Sequence, residues 1–291
     1  MDKISYRGEK MSRIAIVTDS TADLPENYIK EYNINIVPLK VFFGDKEYKD
    51  WIELKPEQFY KLLKEGKHFP RTSQPSPAEF EGVYKNLAQR YDTIISLHIS
   101  GKLSGTYQSA LVAKQMVNEA DIEVIDTQVT SMALGYIVLE AARAAQKGLG
   151  KKDILEIIKR VKENIKVFFV VDTLKYLEKG GRIGKARAFL GSLLNIKPVL
   201  TLEEGLVAPV EKVRGRSKAF KSLINKIHKY SKKDQPLKIS IMHGNNLEGA
   251  EKLKEEIIHN FHVEEIIVAE LGAVIGTYTG PGTLAVTFLS S

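Results

Sequence analysis

Length, composition and charge are those of an ordinary globular protein and exclude several classes at once. The 291 residues, of which 43% are hydrophobic and 27% charged, are enough for two domains and exclude a collagenous, mucin-like or disordered chain. The chain has no Cys, which excludes disulfide frameworks, thiolate zinc sites and cysteine nucleophiles and agrees with a cytoplasmic location. Its formal net charge of +7 is small enough to reflect either solubility or a basic partner surface.

The N-terminal residues and the hydropathy pattern give no sign of membrane targeting. Residues 1–10 mix charged and polar side chains without the apolar segment of a signal peptide, so we expect a flexible leader. Nowhere in the sequence do about 18 apolar residues follow one another, as a membrane-spanning helix requires. We therefore expect no integral membrane association.

The first half of the chain alternates short Ile- and Val-rich runs with longer amphipathic segments. The short runs predict strands, and the longer segments predict helices. Such alternation is typical of an α/β domain with a doubly wound, mostly parallel sheet. We assign residues 11–175 to this N-terminal domain, which residues 280–291 could complete. The predicted strands cover residues 14–17, 36–41, 93–98, 123–125 and 167–171, and the predicted helices cover residues 56–63, 77–87, 107–119 and 131–146.

The second half begins with a Gly-rich turn and a hairpin. Its pattern predicts a smaller α+β domain over residues 176–279. No Pro-, Gly- or Ser-rich linker separates the two domains, so we expect them to pack closely around a ligand cleft. The predicted elements are strands at residues 196–202, 206–210, 237–242 and 264–270 and helices at residues 217–230 and 247–259.

Two loops rich in hydroxyl residues each precede a predicted helix. One contains Ser104 and Thr106, and the other contains Thr72 and Ser73 on a backbone stiffened by two prolines. The unpaired N–H groups and the positive dipole of a helix start attract anions, so both loops are candidate anion sites. Helix capping is the competing interpretation. It explains Ser76 and either hydroxyl of the first loop, but it explains Thr72 and Ser73 less well.

Other polar segments carry weaker signals. Asp19 and Asp23 follow the first strand, where turn and N-cap duty is commoner than a metal or acid–base pair. The Gly-rich segment 180–185 fails the spacing of a nucleotide-binding P-loop, although Arg182 within it is a candidate anion contact. Residues 276–283 contain too many glycines for a core element and predict a tight turn closing over a ligand.

The sequence contains no catalytic motif that we can identify. The six His show no metal-ligand spacing, and no nucleophile elbow is present. Residues 212–233 hold nine Lys and Arg side chains and no acidic residue, mostly on the outer face of the predicted helix. A solvated face is the simplest interpretation. An acidic protein partner is the sharper alternative, and nucleic acid ranks below it because no nucleic-acid-binding pattern accompanies the charge.

With these segments assembled, the chain resembles the DegV family of bacterial fatty-acid-binding proteins, which includes the binding subunit of fatty acid kinase. The resemblance runs from Arg13 to about Thr283 and rests on several short motifs that occur in family order. These are the motifs at residues 17–23, 72–76, 103–110, 180–183, 212–215 and 280–283.

The resemblance implies a two-domain fold that holds one long-chain fatty acid in a tunnel between its domains. It places the carboxylate on Thr72 and Ser104 and puts Arg182 near the head group. Ser73, Gly105 and Tyr278 would form a wider head-group shell. It further implies a protein without catalytic residues, metal or cofactor, which presents its ligand to a separate ATP-binding kinase subunit. Residues 189–194 and 196–200 are the candidate tunnel lining.

One departure from the family pattern bears on this role. Related proteins commonly have His two residues before the Gly-Pro-Gly turn, where this chain has Tyr278. A phenol still donates a hydrogen bond but brings no positive charge, so coupling to a kinase is less well supported than carboxylate binding. The main alternative function is a small-molecule phosphotransferase related in fold to dihydroxyacetone kinases. A basic regulator that binds nucleic acid is the third.

Overall fold

The computed structural model describes residues 13–191, 196–232 and 235–290. The expected leader, residues 1–10, lies outside the described residues. The strands are β1 (Ile14–Asp19), β2 (Asn35–Val37), β3 (Lys40–Phe43), β4 (Lys46–Lys49), β5 (Arg71–Ser73), β6 (Thr93–His98), β7 (Asp121–Asp126), β8 (Lys166–Val170), β9 (Ile196–Glu203), β10 (Leu206–Arg214), β11 (Leu237–His243), β12 (Val263–Glu270) and β13 (Leu284–Ser290).

The helices alternate with these strands. They are α1 (Glu26–Glu31), α2 (Pro56–Glu65), α3 (Pro77–Ala88), α4 (Thr106–Gln115), α5 (Met132–Gln146), α6 (Lys151–Asn164), α7 (Lys175–Lys179), α8 (Arg216–Tyr230), α9 (Leu247–Asn260) and α10 (Ala273–Thr279). Short 3-10 helices follow β1 and α7, at Ser20–Ala22 and Gly184–Phe189.

Within the described ranges, hydrogen bonds join the strands into three sheets. The first has the order β2-β1-β6-β7 and is entirely parallel. The second has the order β10-β9-β8-β13-β11-β12, in which β11 and β12 are parallel and the other neighbours are antiparallel. A third, small sheet pairs β3 with β4 and β5. The predicted α/β class with a parallel first sheet is confirmed.

Helix α5 lies between the four-stranded and six-stranded sheets. Most of its side chains are buried, because both of its faces pack against a sheet. The Tyr136 hydroxyl donates a 2.6 Å hydrogen bond to the Ile239 carbonyl of β11. Further along α5, Arg143 forms ion pairs with Glu140 and with Glu265 of β12. These contacts hold the two sheets in a fixed relation.

Successive residues of the central strands face opposite layers, as the twofold period of a strand requires. In β1, Ile16 packs on the side of α5, whereas Ala15 and Val17 pack on the side of α3 and α4. The first sheet therefore carries helices on both faces. In β8, Phe169 packs on the side of α5, whereas Phe168 packs with α8 and α9. The second sheet is thus also covered on both faces.

The strand pairing differs from the sequence-based grouping at two strands. Strand β8, which the sequence pattern placed with the first half, pairs with β9 and β13. Strand β13, which could have completed the first sheet, pairs with β8 and β11 instead. The reason is that tertiary packing selects the partners of a strand, here the next strand β9 and the distant β13 for β8, and local periodicity encodes neither. The domain boundaries themselves stay a prediction.

Two local predictions are corrected by the backbone. The strand predicted over residues 36–41 is split into β2 and β3 around Pro38, which has no N–H for a sheet hydrogen bond. The Gly-rich segment near the C-terminus begins as the buried helix α10 and turns only at Gly280 and Gly282, where φ is 72° and 82°. A Cβ on Gly276 would lie 2.6 Å from the Phe59 ring, so glycine there lets α10 pack closely on α2.

Candidate functional site

The hydroxyl groups of Thr72 and Tyr278 are in direct contact. Thr72 lies in β5, where it is paired with Val41 of β3, and Tyr278 lies in α10. Their side-chain oxygens are 2.5 Å apart. Residues 71–73 thus form a strand and not the loop that the sequence predicted, and this strand fixes the direction of the Thr72 side chain.

Ser104 lies just before α4 and pairs with a second hydroxyl. Its Oγ is 2.9 Å from Oγ1 of Thr106 and 3.4 Å from the backbone nitrogen of the same residue. The backbone of Ser104 is held by a 3.0 Å hydrogen bond from its N–H to the Ser100 carbonyl. Thr106 is fully buried, whereas Ser104 is partly open. Thr72 and Ser104 therefore each have a neighbouring hydroxyl, from Tyr278 and Thr106 respectively, that can control the orientation of their own.

The Gln74 side chain lies between the segment of Thr72 and the segment of Ser104, a role that the sequence did not indicate. A Cβ on Gly105 would lie 2.4 Å from Nε2 of Gln74. Only glycine leaves room for the amide at this position without displacing it. Because Gln74 follows Thr72 closely in the chain, this contact brings the loop of Thr72 against the start of α4.

Arg182 reaches the same region from the segment after α7. Its guanidinium carbon lies 4.9 Å from the centre of the Tyr278 ring. Its Nε donates to the Leu103 carbonyl at 3.2 Å, and one terminal nitrogen donates to the Gly180 carbonyl at 2.8 Å. Stacking and hydrogen bonding thus fix the guanidinium beside the phenol. The remaining N–H groups are available to an anion.

The four side chains Thr72, Ser104, Arg182 and Tyr278 line one cavity. Most of the remaining wall is aliphatic or aromatic and is supplied by one face of the six-stranded sheet, by α7 and α10, and by the segments that follow β2, β6 and β12. The apolar lining residues are Leu39, Ile99, Leu103, Val167, Phe169, Leu177, Leu202, Val207, Met242, Leu271, Val274, Ile275 and Ala285. The remaining lining residues are Thr130, Ser131, Thr279 and Thr283. A cavity with one polar cluster and a long apolar wall suits an amphipathic ligand.

Not all of the expected residues lie on this cavity. Ser73 and Gly105 are absent from its wall, and the Ser73 hydroxyl donates to the Gln74 carbonyl at 3.0 Å. Of the candidate tunnel lining, residues 189–191 and 196–200 also lie off the wall. Residues 192–195 lie outside the described residues. The hairpin of β9 and β10 contributes Leu202 and Val207 instead. Its strands therefore reach the cavity close to their connecting turn, and not at the start of β9 as the sequence suggested.

A buried polar network supports the ends of β1 and β6. Asp19 accepts a 3.0 Å hydrogen bond from the Ile99 N–H and contacts the His98 ring at the same distance. It also accepts from the Thr21 N–H and so caps the short 3-10 helix, as its position in the sequence indicated. The other ring nitrogen of His98 is 2.7 Å from the Ser96 hydroxyl. This network fixes the loop that leads to Ser104.

Two further buried carboxyl groups hold the start of α10. Asp23 accepts hydrogen bonds from the Ser131 hydroxyl at 2.7 Å and from the Gly272 N–H at 2.9 Å. Asp50 accepts from the Ala273 N–H at 3.0 Å. Burial raises the pKa of Asp23 to about 7. Burial and the nearby charge of Asp23 raise the pKa of Asp50 to about 8. Both groups therefore keep their protons to a higher pH than an ordinary aspartic acid does.

The basic segment beginning at Lys212 lies on the outside of the second sheet. Within its described part, Lys226 forms an ion pair with Glu211, and Arg216 pairs with Asp172. Lys218, Lys221 and Lys229 are exposed, in agreement with a solvated face. Lys233, the last residue of the segment, lies outside the described residues.

Two kinds of site find no support in the described part of the chain. No cluster of three or more His, Asp or Glu side chains there is arranged to hold a metal ion. Among the helices of the described ranges, none combines the length and the apolar character needed to cross a membrane.

The chain is similar to members of one protein family. The sequence profile of the DegV family, described as "Uncharacterised protein, DegV family", matches residues 13–291. A DegV domain-containing protein of Caldanaerobacter subterraneus is 38% identical over 278 residues, which is 96% of this chain and 99% of the relative. The resemblance found from the short motifs is confirmed.

Two solved structures share the fold. One, described as "Fatty Acid Binding of a DegV family Protein from Thermus thermophilus", is 40% identical, with a TM-score of 0.92 over 96% of this chain and 100% of the other. DegV from Bacillus subtilis, described as a fatty acid binding protein, is 35% identical, with a TM-score of 0.90 over 96% of this chain and 100% of the other.

Proposed function

Since the chain belongs to the DegV family, we propose that it binds one long-chain fatty acid, with the acyl chain in the cavity that the six-stranded sheet and α10 line. The observation that carries this proposal is the composition of the cavity wall. Hydroxyl and guanidinium groups share this wall with residues that are mostly apolar. A fatty acid has the same division between a charged head and a hydrocarbon chain.

The apolar wall supplies most of the affinity. Each methylene group that leaves water contributes about 0.8 kcal/mol, so a long acyl chain gains a large free energy of binding. The polar cluster must then prevent the carboxylate from being buried without partners, which would be costly. Specificity for an acid over a hydrocarbon therefore depends on the polar cluster.

We assign the carboxylate contacts to Thr72 and Ser104, with Arg182 and Tyr278 beside them. The two hydroxyls line the same cavity although one comes from β5 and the other from the segment before α4. Hydrogen bonds to an ionised group are worth about 1.5 to 3 kcal/mol each, enough to stabilise a carboxylate in a partly apolar site. Arg182, stacked on Tyr278, adds the positive charge that the phenol lacks.

The test is native mass spectrometry of the purified protein, followed by organic extraction and identification of the released molecule. We expect one fatty acid per chain, or uptake of one equivalent of added hexadecanoic acid by a protein purified without ligand. A protein that is purified empty and takes up no added fatty acid would contradict the proposal. Added hexadecane serves as the control for binding by apolar contact alone.

Carriage of the fatty acid in the cytoplasm, without chemistry on it by this chain, completes the proposal. Presentation of the ligand to a separate ATP-binding kinase subunit stays a prediction from the family resemblance. Tyr278 stands where related proteins commonly have His, so the kinase role is to be tested separately from binding. Transfer of phosphate to the bound acid by a purified kinase subunit would be the direct measurement.

A further inference from the structure

We propose that Thr106 is a positioning residue for the carboxylate, acting through the hydroxyl of Ser104. This inference rests on the proposed function, because it concerns how the same polar cluster recognises a fatty acid. Its starting point is the contact between the two side chains, whose oxygens are 2.9 Å apart. Thr106 has no exposed surface and is not part of the cavity wall, whereas Ser104 is.

The direction of the hydrogen bond between these hydroxyls decides whether Ser104 can bind an anion. A serine hydroxyl has one proton and two acceptor lone pairs, and a carboxylate only accepts hydrogen bonds. If Ser104 donates its proton to Thr106, it has no proton left for the ligand and turns an oxygen lone pair toward the carboxylate. If Thr106 donates to Ser104, the Ser104 proton is free to point into the cavity.

The backbone favours the second arrangement. The Thr106 N–H lies 3.4 Å from the Ser104 oxygen, so Thr106 can supply that oxygen with both a backbone and a side-chain donor. An oxygen that accepts two hydrogen bonds has its own proton directed away from both donors. Chains of hydrogen bonds also polarise one another, so a hydroxyl that accepts from Thr106 becomes a better donor to a carboxylate.

Because Thr106 is buried, its hydroxyl is available to Ser104 without competition from solvent. Because the side chain is fully buried next to Ser104, water does not compete at its surface. The same residue begins α4, and the preceding residue, Gly105, has no side chain with which to cap that helix. In the proposed arrangement Thr106, at the start of α4, donates to Ser104, and Ser104 donates to the carboxylate of the ligand.

The test compares tetradecanoic acid with tetradecan-1-ol as ligands of the Thr106→Val and Thr106→Ser variants. Valine keeps the shape of threonine without the hydroxyl, and we expect it to weaken binding of the acid about three- to tenfold. The alcohol can donate a proton to Ser104 as well as accept one, so its affinity should stay unchanged. Serine keeps the hydroxyl and should restore acid affinity to within about twofold of the unmodified protein.

Two controls separate positioning from damage to the fold. Ser222→Ala also removes the hydrogen bond of a buried hydroxyl, the one of 2.5 Å to the Glu211 carboxylate, but neither residue lines the cavity, so both affinities should stay unchanged. In a Ser104→Ala background, Thr106→Val should have no further effect on acid binding, since its action passes through Ser104. Independent, additive losses would overturn the inference.

The remaining outcomes are also decisive. Equal weakening of acid and alcohol by Thr106→Val would show that Thr106 only supports the cavity, and unchanged acid binding would show that it has no part in recognition. Either result would overturn the inference while leaving fatty acid binding intact. If the unmodified protein binds neither tetradecanoic nor hexadecanoic acid, the proposed function fails first, and the inference fails with it.

Discussion

The side chains of Thr72 and Tyr278 meet although 206 residues separate them in the chain. One comes from a short strand of the smallest sheet, and the other from the helix that precedes the last strand. Their contact closes the polar end of the cavity from two sides. Under the proposed assignment of the carboxylate to this cluster, we expect changes in the packing of α10 against the N-terminal part of the chain to change the affinity for the fatty acid.

The first prediction concerns the two hydroxyls assigned to the carboxylate. Thr72→Val and Ser104→Ala should each weaken fatty acid binding about tenfold or more, since each removes a hydrogen bond to a charged group. Isothermal titration with one fatty acid measures the effect. Asp45→Ala, at an exposed turn away from the cavity wall, is the control and should leave the affinity unchanged. Unchanged affinity in both hydroxyl variants would remove the assignment.

The second prediction concerns the space behind Tyr278. A Cβ on Gly180 would lie 2.3 Å from the Tyr278 ring and 3.1 Å from the Tyr176 carbonyl, so Gly180→Ala must displace the ring. The phenol would then leave both Thr72 and Arg182, and we expect fatty acid affinity to fall about fivefold to tenfold from the loss of these contacts.

The matched control for this variant is Gly82→Ala, at an exposed position of α3 where an added Cβ meets no atom within 4 Å. It should leave affinity unchanged and raise the free energy of unfolding by about 0.5 to 1 kcal/mol, because alanine favours the helix interior. Equal affinities for the two variants would argue against a role for the Tyr278 ring.

The third prediction concerns the pH dependence of stability. In the folded protein the pKa of Asp23 is raised to about 7 and that of Asp50 to about 8, against an ordinary value of 3.8. Between about pH 4 and pH 8, the two carboxyl groups hold protons in the folded state that they have released in the unfolded chain. The free energy of unfolding should therefore be highest near pH 4 as far as these groups are concerned, and fall as pH rises to about 8.

Asp23→Asn tests this dependence, because the amide resembles the neutral carboxyl. Its free energy of unfolding, measured by urea titration at pH 5, 6, 7 and 8, should fall less steeply with pH than that of the unmodified protein. Asp45→Asn, at an exposed turn, is the control and should leave the slope unchanged. Parallel pH profiles for Asp23→Asn and the unmodified protein would show that Asp23 keeps an ordinary pKa.

The fourth prediction concerns the apolar wall. Affinity for saturated fatty acids should rise about fourfold for each added methylene group, from the transfer of about 0.8 kcal/mol, until the chain fills the cavity. Titration with acids of increasing length gives both the increment and the length at which it stops. An affinity independent of chain length would mean that the acyl chain stays outside the cavity.

Much of the fold could be predicted from local pattern. The strand Thr93–His98 was predicted with its observed bounds, and most longer helices were predicted to within a few residues. Their apolar side chains recur with the period of the element that buries them, and periodicity is a property of neighbouring residues. Helix α10 was missed because its glycines disfavour a helix locally, whereas close packing on α2 requires them.

For the candidate site, too, some features could be predicted from the sequence and others could not. The short motifs along the chain were enough to name Thr72, Ser104, Arg182 and Tyr278 as candidate contacts for an anion. That these four side chains share one cavity, that the Gln74 side chain lies against Gly105, and that Leu202 and Val207 line the wall follows from the folded structure alone. These contacts depend on strand pairing and on the packing of α10 between distant segments. They arise when whole faces of sheets and helices are buried against one another, and no local pattern of residues specifies which faces meet.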